Sequence, residues 1–211
     1  MTRIIRGIAL LGAVAAVAAC AKKNNAADSA AAADSAAKLA AAAVPPPPAA
    51  APLTDANILA LLDEINMADS ANGSIAAGKG TEADVKAFAR DMERDHHMLR
   101  KAGQDLAKKI NVTPAAPATD TLPATATKMQ ANLNGAAKGA AFDKAYIDQE
   151  VGVHQFVLAS LQSMQTAATD TTLKATITKV TPMIQQHLDK ATKIQGKMSA
   201  APAAADAAKK K

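Results

Sequence analysis

From Leu53 to Ser199 the apolar residues recur three and four positions apart, in four long runs. That is the period of an α-helix with one buried face. No run alternates with the period of two that a half-buried strand needs. The first run carries Ile58, Leu61, Leu62, Ile65, Ala68, Ile75 and Ala76. It opens at a Thr54 or Asp55 cap and is expected to break at Gly78 and Gly80. The second spans about Glu82 to Ile110, along Val85, Phe88, Ala89, Met92, Leu99, Leu106 and Ile110. The third, from about Gly139 to Ala167, has a wide apolar arc between Phe142 and Leu161. The fourth, from about Thr171 to Ser199, follows a heptad seam through Leu173, Ile177, Val180, Ile184, Leu188, Ala191, Ile194 and Met198, with a kink expected at Pro182.

The links decide how such helices assemble. The first and last are short, which makes antiparallel hairpins. The middle link is long. It is punctuated by Pro114, Pro117 and Pro123, with room for a short helix over Thr125 to Leu133 that ends near Gly135. Each long helix spans about 40 Å at about 1.5 Å per residue, and the middle link can return along that whole length. The expected fold class is therefore all-α: a ferritin-like four-helix bundle, two antiparallel helical hairpins joined by a long crossover with a short extra helix.

The flanking segments read differently. Residues 1–19 have the form of a lipoprotein signal peptide: Arg3 and Arg6, an uncharged apolar stretch, then Val17-Ala18-Ala19 before Cys20. The stretch is short for a permanent membrane span. Cys20 is the single cysteine, which excludes an internal disulfide or a thiolate metal cluster and leaves lipidation as its expected role. Ala21 rather than Asp after it resembles outer-membrane sorting. The expected location is the bacterial cell envelope, facing the periplasm, with the membrane reached through the Cys20 lipid. Residues 20–52, rich in Ala, Asp, Ser and Pro, read as a disordered tether. Residues 200–211 read as a disordered basic tail.

The chain is formally +5, but residues 53–199 hold sixteen basic and sixteen acidic side chains. With no Trp and few aromatics, a basic, ring-lined nucleic-acid surface is excluded. The partners left open are a cell-envelope protein or the cell wall. Gly73 to Lys79 matches most of a phosphate-binding loop. However, Gly80 stands where Ser or Thr is required, and a helical stripe runs through it.

Polar residues break each apolar face near its middle. Asp69 lies in the first stripe, with Asn72 three residues on. His96 lies in the second, with Asp95 at its edge. Glu150 and His154 share the third face at i and i+4, and His187 sits on the fourth seam. Helix midpoints coincide whichever way the helices run, so these groups can meet at one level. Inward carboxylates and histidines on facing helices are how bundle-core metal sites are built. The candidate ligands are thus Asp69, His96, Glu150, His154 and His187, for one iron, zinc, manganese or copper ion. Met92 and Met183, each four residues before a histidine, are the pattern that would suit a soft cuprous ion.

Phe88-Ala89 with Asp95-His96, Phe142-Asp143 with Tyr146 and His154, and Pro182 with His187-Leu188 resemble the bacterial envelope family called domain of unknown function 4142, over roughly Asp55 to Met198. The resemblance implies a ferritin-like bundle and an envelope location, and no established activity. Two-iron ferritin-like sites use two Glu-x-x-His pairs. Here only Glu93 to His96 has that spacing, and Ile184 holds the matching position before His187. A single-metal site, or none, fits better. Two functions stay open. One is an exported, lipid-anchored bundle that binds a metal in its core. The other is a non-catalytic structural or interaction lipoprotein whose core polar network holds no metal. No catalytic residue is indicated.

Overall fold

The computed structural model describes residues 52–209, with side chains described as far as residue 200. The expected signal peptide, the expected lipidation site at Cys20 and nearly all of the expected tether lie outside the described residues. Among the described residues there are five helices and no strand: α1 (Asp55–Lys79), α2 (Ala83–Lys109), α3 (Leu122–Gly135), α4 (Ala140–Ala167) and α5 (Thr171–Lys209). The chain is all-α, as its periodicity predicts. No helix among them is long and apolar enough to cross a membrane.

Three boundaries differ from expectation, each for a local reason. α1 begins in a reciprocal capping box. Asn57 N–H donates to Thr54 Oγ1 at 3.2 Å and Thr54 N–H donates to Asn57 Oδ1 at 3.0 Å. It then continues through Gly78, since one glycine costs a helix only about 1 kcal/mol, and ends where Gly80 N–H donates to Ala76 O at 2.7 Å. α3 starts at Leu122 rather than Thr125. Pro123 sits in the first turn, where a missing N–H is no loss, and Asp120 Oδ1 accepts from Leu122 N–H at 2.9 Å. α5 runs unbroken through Pro182 and on to Lys209, past the end of its apolar stripe, through a segment rich in alanine, the best helix former.

Cross-helix hydrogen bonds give the directions. Asp63 accepts from Arg100 and Gln104, and the Ser70 hydroxyl donates to Glu93 O, so α1 and α2 are antiparallel. Gln165 donates to Thr178 and Gln195 to Asp148, so α4 and α5 are antiparallel. Lys197 meets Asp84 and Lys190 meets Asp91, so α2 and α5 are antiparallel. α2 and α4 therefore run the same way, and their link must travel a full helix length. α3 lies in that link, packed on α1.

Two aspartates fasten turns. Asp143 on α4, fully buried, accepts from Thr81 N–H at 2.9 Å, Thr81 Oγ1 at 2.5 Å and Glu82 N–H at 2.8 Å, in the α1–α2 turn. Asp55 on α1 accepts from Thr169 N–H at 2.7 Å, Thr169 Oγ1 at 2.5 Å and Asp170 N–H at 3.0 Å, in the α4–α5 turn. Lys79 donates to Leu133 O, Asn134 O and Ala136 O, satisfying carbonyls at the C-terminal end of α3. α1 and α2 come close at Gly73, where a Cβ would stand 2.7 Å from both Ala89 O and Glu93 N.

The core has two apolar clusters. One holds Ile58, Ile65, Leu106, Leu161, Leu173 and Ile177, among others. The other holds Ala76, Phe88, Met92, Phe142, Tyr146 and Ala191, among others. Apart from Asp143, the buried polar residues of each long helix fall between the two: Asn66, Asp69 and Asn72 on α1, His96 on α2, Glu150 and His154 on α4, and His187 on α5.

Candidate metal centre

His96, His154 and His187 are each buried because they replace an apolar residue in their helix stripe. Three helices thereby deliver three imidazoles to one place. The His96, His154 and His187 rings are 5.3–5.6 Å apart, centroid to centroid. One ring nitrogen from each lies within 4.8 Å of the other two, so the three could hold a metal ion. His97, next to His96, is exposed.

One nitrogen of each ring is already committed. Asn66 Nδ2 donates to Leu62 O at 2.7 Å, which turns Asn66 Oδ1 toward His96 Nδ1 at 2.9 Å. An amide oxygen only accepts, so His96 donates from Nδ1. His154 Nδ1 stands 2.9 Å from the carbonyl oxygen of Glu150 and must also donate. His187 Nε2 stands 3.1 Å from Asp95 Oδ2 and donates to it. The other nitrogens, His96 Nε2, His154 Nε2 and His187 Nδ1, are buried and find no partner among the described residues. They carry lone pairs. Metal-binding histidines have this form, one nitrogen donating to a carboxylate or carbonyl and the other free to ligate.

The electrostatics keep the rings neutral. Burial, then the neighbouring His154 and His187, holds His96 well below the usual imidazole range. Burial lowers His154 to about 4, against the pull of its bond to the Glu150 carbonyl. Burial also lowers His187, less completely because Asp95 favours its charged form. For Asp95, burial pushes upward, but Arg94 and then His187 outweigh it and the carboxyl sits below its ordinary value. A small apolar cavity of about 50 Å³ beside His96, lined by Leu59, Leu62, Leu99 and Leu106 among others, adds to this dry setting.

The two expected carboxylates are present but stand on the other side of the rings. Asp69 Oδ2 is 3.7 Å from His96 Nδ1, and Glu150 Oε2 is 3.5 Å from His154 Nδ1. In both cases that is the donating nitrogen. Burial raises Asp69 to about 7. Burial, then the nearby Asp69, raises Glu150 well above the carboxylate range. Tyr146, expected as core packing with a satisfied hydroxyl, is fully buried against Phe88, its ring 6.2 Å away. Its hydroxyl lies near Glu150 without a hydrogen bond of good geometry. Burial, then Glu150 and Asp69, raises it well above the usual phenol range.

Sequence reasoning missed Asn66 and placed Asp95 only at a stripe edge, yet these two set the tautomers of His96 and His187. A signal for Asn66 exists: Asn66, Asp69 and Asn72 recur at i, i+3 and i+6 along one face of α1.

No curated protein and no solved structure matches the chain. The family model described as domain of unknown function (DUF4142) matches residues 39–194, well over half of the sequence, and the chain belongs to that family.

Proposed function

We propose that this chain is a lipid-anchored protein of the bacterial cell envelope whose helical domain, a ferritin-like four-helix bundle, binds one metal ion through His96, His154 and His187. The observation that carries this reading is the pairing pattern of the three rings. Each spends one nitrogen on a fixed acceptor and leaves the other, buried and without a partner, beside its two neighbours. Three neutral imidazoles suit zinc, copper, iron or manganese, and three protein ligands leave room for a water or small molecule on the ion. Asp69 and Glu150 are read as groups behind the ligands. A metal ion would give the three ring nitrogens the partner that a purely structural polar network does not offer them among the described residues. Support for the envelope location is the signal-peptide pattern that ends at Cys20-Ala21.

Elemental analysis of the full chain, exported and purified without chelator, tests the proposal. The expected result is close to one ion per chain, lost in His154→Ala while the helical circular dichroism persists. A protein that retains no ion, and takes up none on titration with zinc, copper, iron or manganese, overturns it.

A further inference from the structure

Away from the facing histidine nitrogens, a groove of about 450 Å³ is lined by α1, α3 and α4. That volume is within the range of small-molecule sites, about 300–1,000 Å³. Its walls are mostly apolar, with Ile65, Leu122, Met129, Val153 and Phe156 among them. Phe156 is 56% exposed and offers an aromatic face at the groove.

The polar groups of the groove are one-sided. Asp69 and Asn72 line it although they are 2% and 1% exposed, and Asp69 Oδ2 and Asn72 Oδ1 have no hydrogen-bond partner among the described residues. Glu64, half-buried on the lining, has its Oε2 without a hydrogen bond of good geometry, although Asp120 lies close to its carboxyl. Against these three fully buried acceptor atoms the lining has one fully buried donor atom without a partner among the described residues, Gln149 Nε2. Buried acceptors left unmatched are destabilising, so these call for a donor from outside the chain, a water or a ligand. Two of the three belong to carboxyl groups, whose ionised form favours a cation. An ammonium group brings three N–H donors and no acceptor.

We infer that this groove binds an organic primary amine, its ammonium on Asp69 and Asn72 and its carbon chain along Val153, Phe156 and Met129. The site shares Asp69, 3.7 Å from His96 Nδ1, with the surroundings of the metal centre, but none of the facing ring nitrogens, which belong to α2, α4 and α5.

Calorimetric titration of the full chain with n-hexylamine tests this, with n-hexanol and hexanoate as controls. Saturable binding of the amine is expected, at least about tenfold tighter than that of hexanol, with none for hexanoate. Asp69→Asn should weaken the amine at least about tenfold. Gly152→Phe should abolish binding, because Gly152 lines the groove on α4 and a Cβ there meets no atom within 4 Å. The Cβ is therefore accommodated without a clash, and the ring adds bulk to the groove wall. His187→Ala, which removes a metal ligand, should leave amine binding intact, so the two sites stand or fall separately. Absence of saturable amine binding, equal binding of hexanol, or unchanged binding in Gly152→Phe overturns the inference.

Discussion

His154 and Asp69 pull the stability of the metal-free protein in opposite directions as pH changes. An unfolded histidine titrates near 6.5, and His154 in the fold titrates at about 4. Between those values the unfolded chain holds a proton that the native one does not, so His154 makes the fold less stable as pH falls, by about 3 kcal/mol across the window. Asp69 has the reverse sign. It titrates at about 7 in the fold against 3.8 unfolded, so its contribution is full below the unfolded value and is lost as pH rises through 7. Glu150 shares that sign, and His96 and His187 share the sign of His154. The opposed groups partly offset each other between pH 4 and 7. Asp69→Asn should therefore make the protein more acid-sensitive. Urea midpoints measured in chelator at pH 7 and pH 4.5 should fall further apart in the variant than in the wild type, and equal gaps would refute the argument. The histidines themselves were readable in sequence because each interrupts an apolar stripe. Which nitrogen faces inward was not, because Asn66 and Asp95 belong to other helices than the rings they orient.

At the scale of the helices, two substitutions separate close packing from capping. Gly73→Ala places a Cβ 2.7 Å from backbone atoms of α2, and backbone cannot rotate out of the way. The helices must part, at a cost of about 1–3 kcal/mol, although alanine is the better helix former. Thermal or urea unfolding measures it, and a neutral or stabilising effect would mean that α1 and α2 are farther apart than described. Asp143→Ala strips a buried carboxylate from two N–H groups and a hydroxyl in the α1–α2 turn, for a loss of about 3 kcal/mol. Asp55→Ala should cost clearly less, because its bonds lie near solvent. Equal losses would contradict that ordering. The helices were legible from periodicity alone. Their ends were less so, because a glycine is tolerated inside α1 and a proline opens α3. The aspartate fastenings could not be read, since they join residues 62 and 114 positions apart.

For the molecule as a whole, the long middle link carried most of the legible topology. α2 and α4 run in the same direction, so a chain joining them has to cross the full length, as the loop lengths predict. The division of the interior into two apolar regions separated by a polar layer was also implicit, in the common height of the interruptions on each stripe. What the sequence did not disclose is the groove beneath α3, because its depth depends on how that short helix sits on α1 and stands off α4.

The two aspartate fastenings have a further consequence. Asp143 belongs to the second half of the chain and completes a turn in the first, and Asp55 belongs to the first and completes a turn in the second. Each half holds the piece that the other lacks. A polypeptide severed in the exposed stretch near Ala118 should give two fragments that are largely unstructured apart and regain helicity in a one-to-one complex when mixed. Asp143→Ala in the second fragment should weaken that reassembly. Fragments that fold fully alone would show the halves to be independent; reassembly would show them to be mutual templates.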